Sequence, residues 1–354
     1  MDAPRWVKME RILTARACIL AFFNDNSTER NYLTHSEFLP MPDKYLVTGG
    51  AGFIGSNLVR FILDKGGDVV VLDDFSTGKR ENLEEIKNRI TLIEGDIRDR
   101  ATVDKAVSGC QAIFHQGALG SVPRSVDRPL TSHDVNVNGT ITVLESARSA
   151  GIKRVVFAAS SSAYGDQPTS PKHEGMVPAP ISPYAAGKVC CEAYLQAYSA
   201  VFQMETVALR YFNVFGPRQD PFGAYAAVIP AFVSKLLKKE SPVVFGDGEQ
   251  SRDFCYIENV CRANWLAAHA PAENCDGKPM NIACNTAVTL KQILGKLNTL
   301  LKVDIQAVYQ SPRAGDVKHS LADISLAKQK IGYEPSVYFD EGLERSIDWY
   351  TKNL

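Results

Sequence analysis

The stretch "YLVTGGAGFIGSNL", residues 45–58, decides the fold, because it joins a short apolar strand to a helix through three regularly spaced glycines. Gly49 permits a tight turn, Gly52 lets the backbone approach a pyrophosphate, and Gly55 lets the helix pack closely on the strand. An acidic residue, Asp73, ends the next predicted strand within a unit of βαβ size. This order of strand, glycines, helix and acid predicts a dinucleotide-binding site at a helix N-terminus.

Short apolar runs alternate with helix-length segments beyond this stretch, which is typical of a parallel sheet with helical crossovers. The predicted strands are "KYLVT", "DVVVL", "ITLIEGD", "QAIFH", "RVVFAAS" and "TVALRYF", with helices at about 53–64, 99–108, 129–150 and 182–202. The sequence therefore predicts an α/β fold with a Rossmann-type, doubly wound parallel sheet. Beyond "FNVFGPRQDP", the shorter strands "PVVF", "MNIA" and "DIQAVY" alternate with helices at about 224–239, 257–270, 289–301 and 339–352, which predicts a smaller α/β substrate-binding domain.

Three regions follow from this pattern. Residues 41–212 are the predicted dinucleotide-binding domain, and residues 213–354 form mainly the substrate-binding domain, with some chain returning to the sheet. Residues 1–40 are an N-terminal extension of unknown role, in which scattered basic residues and the run "ACILAFF" would also suit a signal or transit peptide. That run is too short to span a bilayer and no clean cleavage site follows it, so an appended helix or a start upstream of Met41 is favoured.

Composition and charge exclude several functional classes. The 354 residues carry 39 Lys+Arg and 40 Asp+Glu, a formal net charge of −1, so no overall field attracts nucleic acid or an anionic membrane. The eight cysteines form no C-x-x-C pair and no histidine lies at zinc-ligand spacing. We therefore expect reduced thiols, no metal site, no nucleic-acid or membrane partner, and a cytoplasmic location.

The residues after the second and third strands bear on the choice of cofactor. The Asp73 carboxylate would accept hydrogen bonds from a ribose and repel the 2′-phosphate of NADP, which favours NAD. Lys79 and Arg80 follow closely and could soften that preference. Asp96 and Ile97 end the third strand, where they would either contact an adenine edge or simply form a strand-end turn.

A second stretch, "SPYAAGK", residues 182–188, places Tyr184 and Lys188 one helical turn apart on one face. By itself such a pair is a packing tyrosine beside a solvated lysine. Here it follows "FAASSSAYGD", whose serines 160–162 end the fifth strand at the edge where dinucleotide sites lie. A hydroxyl, a tyrosine and a lysine at a nicotinamide form an acid/base set. The charge of Lys188 is then expected to lower the Tyr184 pKa from about 10 toward neutrality, so that Tyr184 takes a proton from an alcohol.

Nine stretches together share the pattern of a known enzyme family: "TGGAGFIGSN", "LDDFSTG", "EGDIRD", "HQGALGSVPRS", "SSSAYGD", "SPYAAGK", "RYFNVFGPRQDPFGAYAAVIP", "GDGEQSRDFCYI" and "AGDVKHSLADIS". Over about residues 44–352 the chain resembles the extended short-chain dehydrogenases/reductases, specifically the nucleotide-sugar 4-epimerases. It is most similar to the branch that interconverts UDP-N-acetylglucosamine and UDP-N-acetylgalactosamine.

This resemblance implies a mechanism with NAD held tightly and recycled in each turnover. Tyr184 removes the proton of the sugar 4-hydroxyl while the C4 hydride passes to NAD⁺, and both return to the opposite face of a turned 4-keto sugar. By its spacing back from Tyr164, Ser160 matches the family's hydroxyl that bonds the reacting oxygen. Ser161 and Ser162 either assist it or are simply small strand-end residues.

The same positions distinguish this chain from relatives. Nucleotide-sugar 4,6-dehydratases place Asp-Glu directly after the catalytic hydroxyl, and the related decarboxylases also carry a Glu there. Ser161 and Ser162 occupy those positions here, so neither elimination nor decarboxylation is expected as the main reaction.

The resemblance also implies two sets of binding residues. The set around NAD comprises Gly49, Gly52, Phe53, Ile54, Gly55, Asp73, Asp74, Asp96, Ile97, Gln116, Ala118, Tyr184, Lys188 and Tyr211. The set around the UDP-sugar comprises Asn213 and Arg252 at the diphosphate, Val243 and Phe245 at the uracil, Arg313 and Asp316 at phosphate and ribose, and Gly120, Val228 and Ser320. Arginine suits phosphate because its planar fork binds two oxygens, although an arginine in "GEQSRDF" would equally form a rim salt bridge.

Substrate choice and assembly are further expectations. Ser320 and Gly120 stand where galactose-only epimerases of the family carry a bulky tyrosine and a long lysine, which favours an N-acetylated sugar with UDP-glucose as a second substrate. Alternatively, Ser320 is an ordinary polar loop residue. The helices near 129–150 and 182–202 resemble those that pair this family into homodimers.

The alternatives to this function are another nucleotide-sugar epimerase or a dehydratase of the same family, or a non-catalytic dinucleotide-binding sensor.

Overall fold

The glycine-rich stretch folds as a strand, a turn and a helix. Strand β1 (Lys44–Thr48) is buried beyond its first residue and leads into helix α1 (Phe53–Asp64). Gly49 has φ +66°, and a Cβ there would lie 2.7 Å from backbone atoms of Gly117. At Gly55 a Cβ would lie 2.1 Å from the carbonyl oxygen of Gly49. Both positions therefore require glycine, the first for its dihedral angle and the second for the close approach of the helix to the turn.

The computed structural model describes residues 43–220, 227–311 and 319–353. The strands after β1 are β2 (Asp68–Asp73), β3 (Ile90–Glu94), β4 (Ala112–His115), β5 (Arg154–Ser160), β6 (Glu205–Tyr211), β7 (Val214–Phe215), β8 (Val243–Phe245), β9 (Ser251–Asp253), β10 (Cys255–Tyr256), β11 (Asp276–Ile282), β12 (Ala287–Thr289), β13 (Val308–Gln310) and β14 (His319–Ser320). The helices after α1 are α2 (Arg100–Val107), α3 (Val122–Asp127), α4 (Pro129–His133), α5 (Gly139–Ser149), α6 (Pro183–Phe202), α7 (Val228–Leu237), α8 (Ile257–Ala268), α9 (Leu290–Leu301), α10 (Ser325–Ile331) and α11 (Phe339–Asn353).

Seven strands form one parallel sheet in the order β11-β6-β5-β4-β1-β2-β3. The order reverses beside β1, which is the switch point where ligands of doubly wound sheets bind. Register brings the carboxyl ends of the central strands together, since Thr48 lies opposite His115 and Ser160 lies opposite Tyr211. The predicted Rossmann-type fold is confirmed, and the sheet presents the predicted site at this edge.

The six strands predicted before residue 213 are all present, and the later part of the chain contains more short strands than its pattern predicts. The "MNIA" stretch is the end of β11, which pairs with β6 and extends the main sheet. Short strands not predicted from sequence form a three-stranded sheet in the order β12-β9-β14 and a pair β10-β7. The predicted helix over 129–150 comprises α4 and α5 joined by a π-helical turn at Asp134–Asn138. The domain boundaries stay predictions, and residues 1–40 lie outside the described residues.

Apolar layers cover both faces of the sheet. On one face α1 and α8 contribute a cluster with Leu58, Ile62 and Val260, and on the other face α2, α5 and α6 contribute a second with Leu144 and Leu195. Within residues 43–353 as described, no helix combines the length and hydrophobicity needed to cross a membrane. The same residues contain no cluster of His, Cys, Asp or Glu suited to hold a metal ion.

Candidate active site

Helix α6 begins at the predicted site and carries its two central side chains. Its N-cap is Ser182, whose hydroxyl accepts a hydrogen bond from the Ala185 N–H at 3.2 Å. Pro183 occupies the first helical position, where its missing N–H costs nothing. The cap therefore fixes the helix start so that Tyr184 lies in the first turn and Lys188 one turn later.

Lys188 is buried beneath the tyrosine. Its ammonium donates a hydrogen bond to the Ala158 carbonyl at 2.7 Å and lies 4.6 Å from the Phe157 ring centroid. It lies 5.9 Å from the Tyr184 ring centroid, so the two side chains share a face as predicted. Burial lowers the pKa of Lys188 to about 8. A lysine with that pKa remains mostly protonated at neutral pH and supplies a positive charge.

The expected direction of the Tyr184 pKa is wrong for the described structure. Burial raises the pKa of the Tyr184 phenol above its ordinary value, and a hydrogen bond with the Ser160 side chain opposes that shift. Desolvation penalises the phenolate more than the surroundings stabilise it. The phenol is therefore mostly protonated in the described structure, and the phenolate, the form that can act as a base, needs stabilisation by neighbouring groups.

Ser160 lies at the end of β5 and is the centre of a small hydroxyl cluster. The backbone N–H and the hydroxyl of Ser162 both donate to the Ser160 Oγ, at 3.2 and 2.8 Å. Ser161 begins the 3₁₀ turn Ser161–Tyr164 that follows. Because Ser160 accepts these two bonds, its own proton remains to be donated to Tyr184 or to a substrate oxygen. Ser162 thus orients Ser160, as one of the two sequence interpretations anticipated.

A cavity of about 440 Å³ opens at the carboxyl edge of the sheet beside these residues. The predicted cofactor residues that line it are Gly49, Gly52, Phe53, Ile54, Gly55, Asp73, Asp74, Ile97, Gln116, Ala118, Tyr184, Lys188 and Tyr211. Gly120, predicted for the sugar, lines it as well. The structure thus brings the glycine turn and the catalytic helix to one cavity.

The residues present fit NAD. Gly52 caps α1 without any side-chain hydrogen bond, so the first N–H groups of that helix are available to a pyrophosphate. Asp73 is buried and its two carboxylate oxygens accept the N–H groups of Ala51 and Phe75, each at 2.8 Å. Each carboxylate oxygen has a second lone pair for a ribose hydroxyl. Burial raises the pKa of Asp73, an effect that its two backbone hydrogen bonds oppose.

The basic residues near Asp73 are committed to other partners. Lys79 pairs with Asp220 at 3.2 Å, and Arg80 pairs with Glu94 at 2.6 Å. Arg80 also stacks on Phe75, with its guanidinium 3.9 Å from the ring centroid. Both ion pairs are about half exposed and therefore weak, and Lys79 also lines the cavity, so the buried Asp73 carboxylate is the feature that favours NAD.

Asp96 does not line the cofactor cavity. Both its carboxylate oxygens accept hydrogen bonds from the Arg98 guanidinium, which also binds Asp134. The Arg98 hydrogen bond lowers the pKa of Asp96. Gly95 and Ile97, on either side of Asp96, both line the cavity, so the adenine contact of Asp96 stays a prediction.

A second cavity, of about 350 Å³, lies between α7, β8 and β9. The predicted substrate residues Asn213, Val228, Val243, Phe245 and Arg252 all line it. In its wall, the Asn213 amide donates to the Asp253 carbonyl at 2.9 Å and the Arg252 guanidinium donates to the Ser251 carbonyl at 3.0 Å. The mixture of aromatic, aliphatic and cationic side chains suits a nucleotide.

Of the three other residues predicted to bind the substrate, the structure describes one. Ser320, in β14, pairs in register with Arg252 and is half-buried, so it adjoins the second cavity's wall. Arg313 and Asp316 lie outside the described residues.

Some residues in or directly behind the cavity wall belong to neither predicted set. Arg124 and Arg218 add two cations to the lining of the cofactor cavity. Asn264, on α8, donates to the Tyr211 hydroxyl at 2.7 Å and accepts from the Gln116 amide at 3.1 Å, which fixes both cavity residues. Arg124 and Arg218 lie in the motifs "HQGALGSVPRS" and "RYFNVFGPRQDP", where their charge indicates an anion site, whereas Asn264 is brought to the site only by the fold.

His115 is a buried histidine near the site with a structural role. Its ring nitrogens hydrogen-bond to the hydroxyls of Thr48 at 2.7 Å and Thr140 at 3.0 Å. Burial, reinforced by the charge of Lys188, lowers the pKa of His115 to about 3, so the ring is neutral at physiological pH. It ties β1, β4 and α5 together below the site.

Comparisons with known proteins agree with this geometry. Residues 45–283 match the model of the NAD dependent epimerase/dehydratase family. A UDP-N-acetylglucosamine 4-epimerase from Methanobrevibacter ruminantium, solved in complex with UDP-N-acetylmuramic acid, is 40% identical with a TM-score of 0.83, over 88% of this chain and 99% of that one.

Two further proteins support the same assignment. A UDP-glucose 4-epimerase from Mycolicibacterium smegmatis is 36% identical over 86% of this chain and 97% of its own length. The Thermus thermophilus UDP-glucose 4-epimerase, solved as a complex with NAD, is 33% identical with a TM-score of 0.79, over 88% of this chain and all of that one (100%).

Proposed function

The chain belongs to the NAD dependent epimerase/dehydratase family and is an NAD-dependent nucleotide-sugar 4-epimerase, and on that premise we propose that it interconverts UDP-N-acetylglucosamine and UDP-N-acetylgalactosamine. The grouping of Ser160, Tyr184 and Lys188 beside the cofactor cavity supports the epimerase chemistry, and the open space at Gly120 supports the N-acetylated sugar. Ser161 and Ser162 follow directly, where a dehydratase or decarboxylase would need a carboxyl group.

The chain's own residues account for the proton transfers. Tyr184 acts as the base in its phenolate form: it takes the proton of the sugar 4-hydroxyl and returns that proton to O4 when the hydride is delivered to the opposite face of C4. Ser160 donates a hydrogen bond from its hydroxyl to the reacting oxygen, because its Oγ already accepts two hydrogen bonds from Ser162. Lys188 places its charge near the Tyr184 ring and favours the phenolate that must be present before the proton is taken. When bound, NAD supplies the acceptor and donor for the hydride at C4.

The sugar pocket supports an N-acetylated substrate. A Cβ built on Gly120 meets nothing within 4 Å, so this part of the cavity is open where a long side chain would narrow it. Ser320 is small and adjoins Arg252, one of the residues we assign to the diphosphate. The family resemblance places both positions near C2 of the sugar, where an acetamido group needs more space than a hydroxyl and small residues provide it.

The nucleotide is proposed to occupy the second cavity. Arg252 and Asn213 bind the diphosphate there, since a guanidinium and an amide both donate to phosphate oxygens. Val228, Val243 and Phe245 form the apolar walls around the uracil. Arg313 and Asp316 are proposed, from the family resemblance, to complete the phosphate and ribose contacts. This assignment gives residues 213–354 their role as the main substrate-binding region.

Initial rates on three substrates test the proposed specificity. We expect turnover of UDP-N-acetylglucosamine, a comparable or lower rate on UDP-glucose, and little turnover of UDP-glucuronic acid. Each product is separated from its C4 epimer by ion-pair chromatography. A protein that converts only UDP-glucose or only UDP-glucuronic acid would refute the N-acetyl assignment while leaving the epimerase chemistry intact.

Replacing Ser320 with tyrosine is expected to shift substrate preference. The ring would fill the acetamido space but clear a hydroxyl, so kcat/KM on UDP-N-acetylglucosamine should fall about 10-fold or more relative to that on UDP-glucose. Ser320→Ala, which stays small, is the control and should leave the ratio of the two rates unchanged. Equal losses on both substrates in Ser320→Tyr would show that Ser320 does not control access.

We also propose a homodimer built on α4, α5 and α6. Of these, α4 and α6 expose large apolar side chains to solvent, with Leu130 83% exposed and Val201 69% exposed. A second copy would cover such a face in an isologous contact to which each copy contributes α6 and the continuous run of α4 and α5. Light scattering at micromolar concentration should give twice the chain mass, and Leu130→Asp should lower it to that of one chain. A monomeric wild-type protein would contradict the proposal.

A further inference from the structure

The N–H groups that open α6 are satisfied in an unusual way. Pro183 has none, the Ala185 N–H goes to the Ser182 hydroxyl, and the Ala186 N–H goes to the Ser182 carbonyl at 2.9 Å. The remaining donor of this turn belongs to Tyr184. Its N–H donates to the Ser125 hydroxyl at 3.0 Å, so the backbone of the catalytic tyrosine is bonded to a side chain from another helix.

Ser125 is completely buried and its hydroxyl is used in both directions. While it accepts from Tyr184, it donates to the Val122 carbonyl of its own helix, α3, at 2.6 Å. Because the donor and acceptor capacities are both engaged, the hydroxyl has one orientation. A two-sided hydrogen bond of this kind fixes the distance between α3 and the start of α6.

Helix α3 is itself fixed to the cofactor cavity. It is capped by Ser121, which lines the cavity and accepts from the Arg124 N–H at 3.2 Å. Leu119 lies just before α3 in the sequence, and the buried side chain of Asn136 binds both of its backbone polar groups. The Asn136 amide accepts from the Leu119 N–H at 2.7 Å and donates to the Leu119 carbonyl at 3.3 Å. The segment that forms the cavity wall is thus held on both sides, and Ser125 transmits its position to Tyr184.

We propose that Ser125 is a positioning residue for the reaction, holding the Tyr184 backbone so that the phenol meets Ser160 and the sugar oxygen in register. This inference rests on the proposed epimerase function. The Lys188 side chain is held separately, by the hydrogen bond that its ammonium donates to the Ala158 carbonyl. Without the Ser125 bond, the first turn of α6 keeps its cap but loses its link to the cavity wall.

Ser125→Ala tests this role by removing the acceptor of the Tyr184 N–H. We expect kcat to fall about 10-fold, with the KM for UDP-N-acetylglucosamine within about 2-fold of wild type, because misplacement of a reacting group affects the chemical step. The Tyr184 pKa should rise, since the Ser160 bond that opposes its upward shift is weakened. The acidic limb of the kcat profile then moves to higher pH. Ser125→Thr, which keeps the hydroxyl, should restore both values.

Ser346→Ala is the matched control. Ser346 is also fully buried and its hydroxyl donates to the Gly342 carbonyl within α11 at 2.6 Å, the same length as the Ser125 bond, yet α11 carries no residue of the site. Ser346→Ala should lower the melting temperature about as much as Ser125→Ala does, and it should leave kcat and the pH profile unchanged. If the two variants behave alike, the Ser125 bond is merely structural and the proposal fails. Ser125→Cys, which keeps the volume but weakens the bond, replaces Ser125→Ala should that variant not fold.

A measurement independent of turnover separates this inference from the proposed function. The absorbance of tyrosinate during a pH titration, with that of Tyr184→Phe subtracted, reports the ionisation of Tyr184 alone. A higher midpoint in Ser125→Ala than in wild type supports the contact. An identical midpoint overturns the positioning role even in an active enzyme, whereas a wild-type chain that converts no substrate overturns the function.

Discussion

We expect Tyr184→Phe to lower epimerase turnover by at least about 10²-fold, because it removes the one hydroxyl that exchanges a proton with the sugar O4. The ring stays, so the contact with Lys188 and the walls of the cofactor cavity are retained. NAD content and melting temperature should therefore match those of the wild type. Initial rates, bound NAD and thermal denaturation are measured on the same preparation.

Tyr194→Phe provides the control for this experiment. Tyr194 lies on the same helix, α6, and is 39% exposed. Its loss of a hydroxyl should leave turnover within about 2-fold, as is usual for surface substitutions. Near-wild-type activity in Tyr184→Phe would mean that another group is the base. A loss of NAD in that variant would show that the tyrosine acts on binding rather than on proton transfer.

Gly55→Ala is expected to cause the largest loss of cofactor binding. The added Cβ would lie 2.1 Å from the Gly49 carbonyl oxygen and 2.8 Å from the Cα of Gly50, and neither backbone atom can yield without moving α1 from the turn. Displacing the helix start removes its N–H groups from the pyrophosphate position. We expect the purified variant to lose most of its NAD and to melt several degrees lower, consistent with about 1–3 kcal/mol of overpacking.

Gly295→Ala isolates the effect of position from that of glycine removal. Gly295 lies within α9, and a Cβ built there meets nothing within 4 Å. Alanine is favoured over glycine inside a helix, so this variant should keep its NAD and gain about 0.5–1 kcal/mol of stability. If Gly55→Ala retained NAD as well as Gly295→Ala does, the close contact between α1 and the turn would not determine cofactor binding.

The features that could be predicted from sequence are those that depend on local backbone geometry. The spacing of Gly49, Gly52 and Gly55 specifies a turn and a helix start, and Ser182 with Pro183 specifies another. Alternation of apolar strands and helices determines the sheet, because parallel strands require crossovers. These patterns predict that Tyr184, Lys188 and the glycine turn lie at one edge of the sheet, and in the structure they line one cavity there.

Features that depend on contacts far apart in sequence could not be predicted in the same way. Ser125 meets Tyr184 across 59 positions, and Asn264 meets Tyr211 across 53. The six-residue helix α3 is too short to show an amphipathic period. Three-residue strands such as β9 and β12 carry no alternation, and only their pairing identifies them.

The direction of the Tyr184 pKa illustrates the same limit for electrostatics. Sequence shows a lysine one turn away, and its charge favours the phenolate. It does not show how deeply the phenol is buried, and desolvation is the larger effect in the folded chain. The Tyr184 pKa thus depends on the balance between charge and burial in the packed site. For this reason we expect the Ser160 hydrogen bond to the Tyr184 hydroxyl, and the Tyr184 N–H bond to Ser125, to affect reactivity.

An NMR time course of purified protein with UDP-N-acetylglucosamine, without added oxidant or reductant, shows whether the chain epimerises this sugar. We expect the anomeric signal of UDP-N-acetylgalactosamine to grow to an equilibrium mixture with no net formation of NADH, and Tyr184→Phe to abolish the change. Retention of bound NAD without any conversion of the sugar would contradict the epimerase assignment and leave a dinucleotide-binding protein that does not act on this substrate.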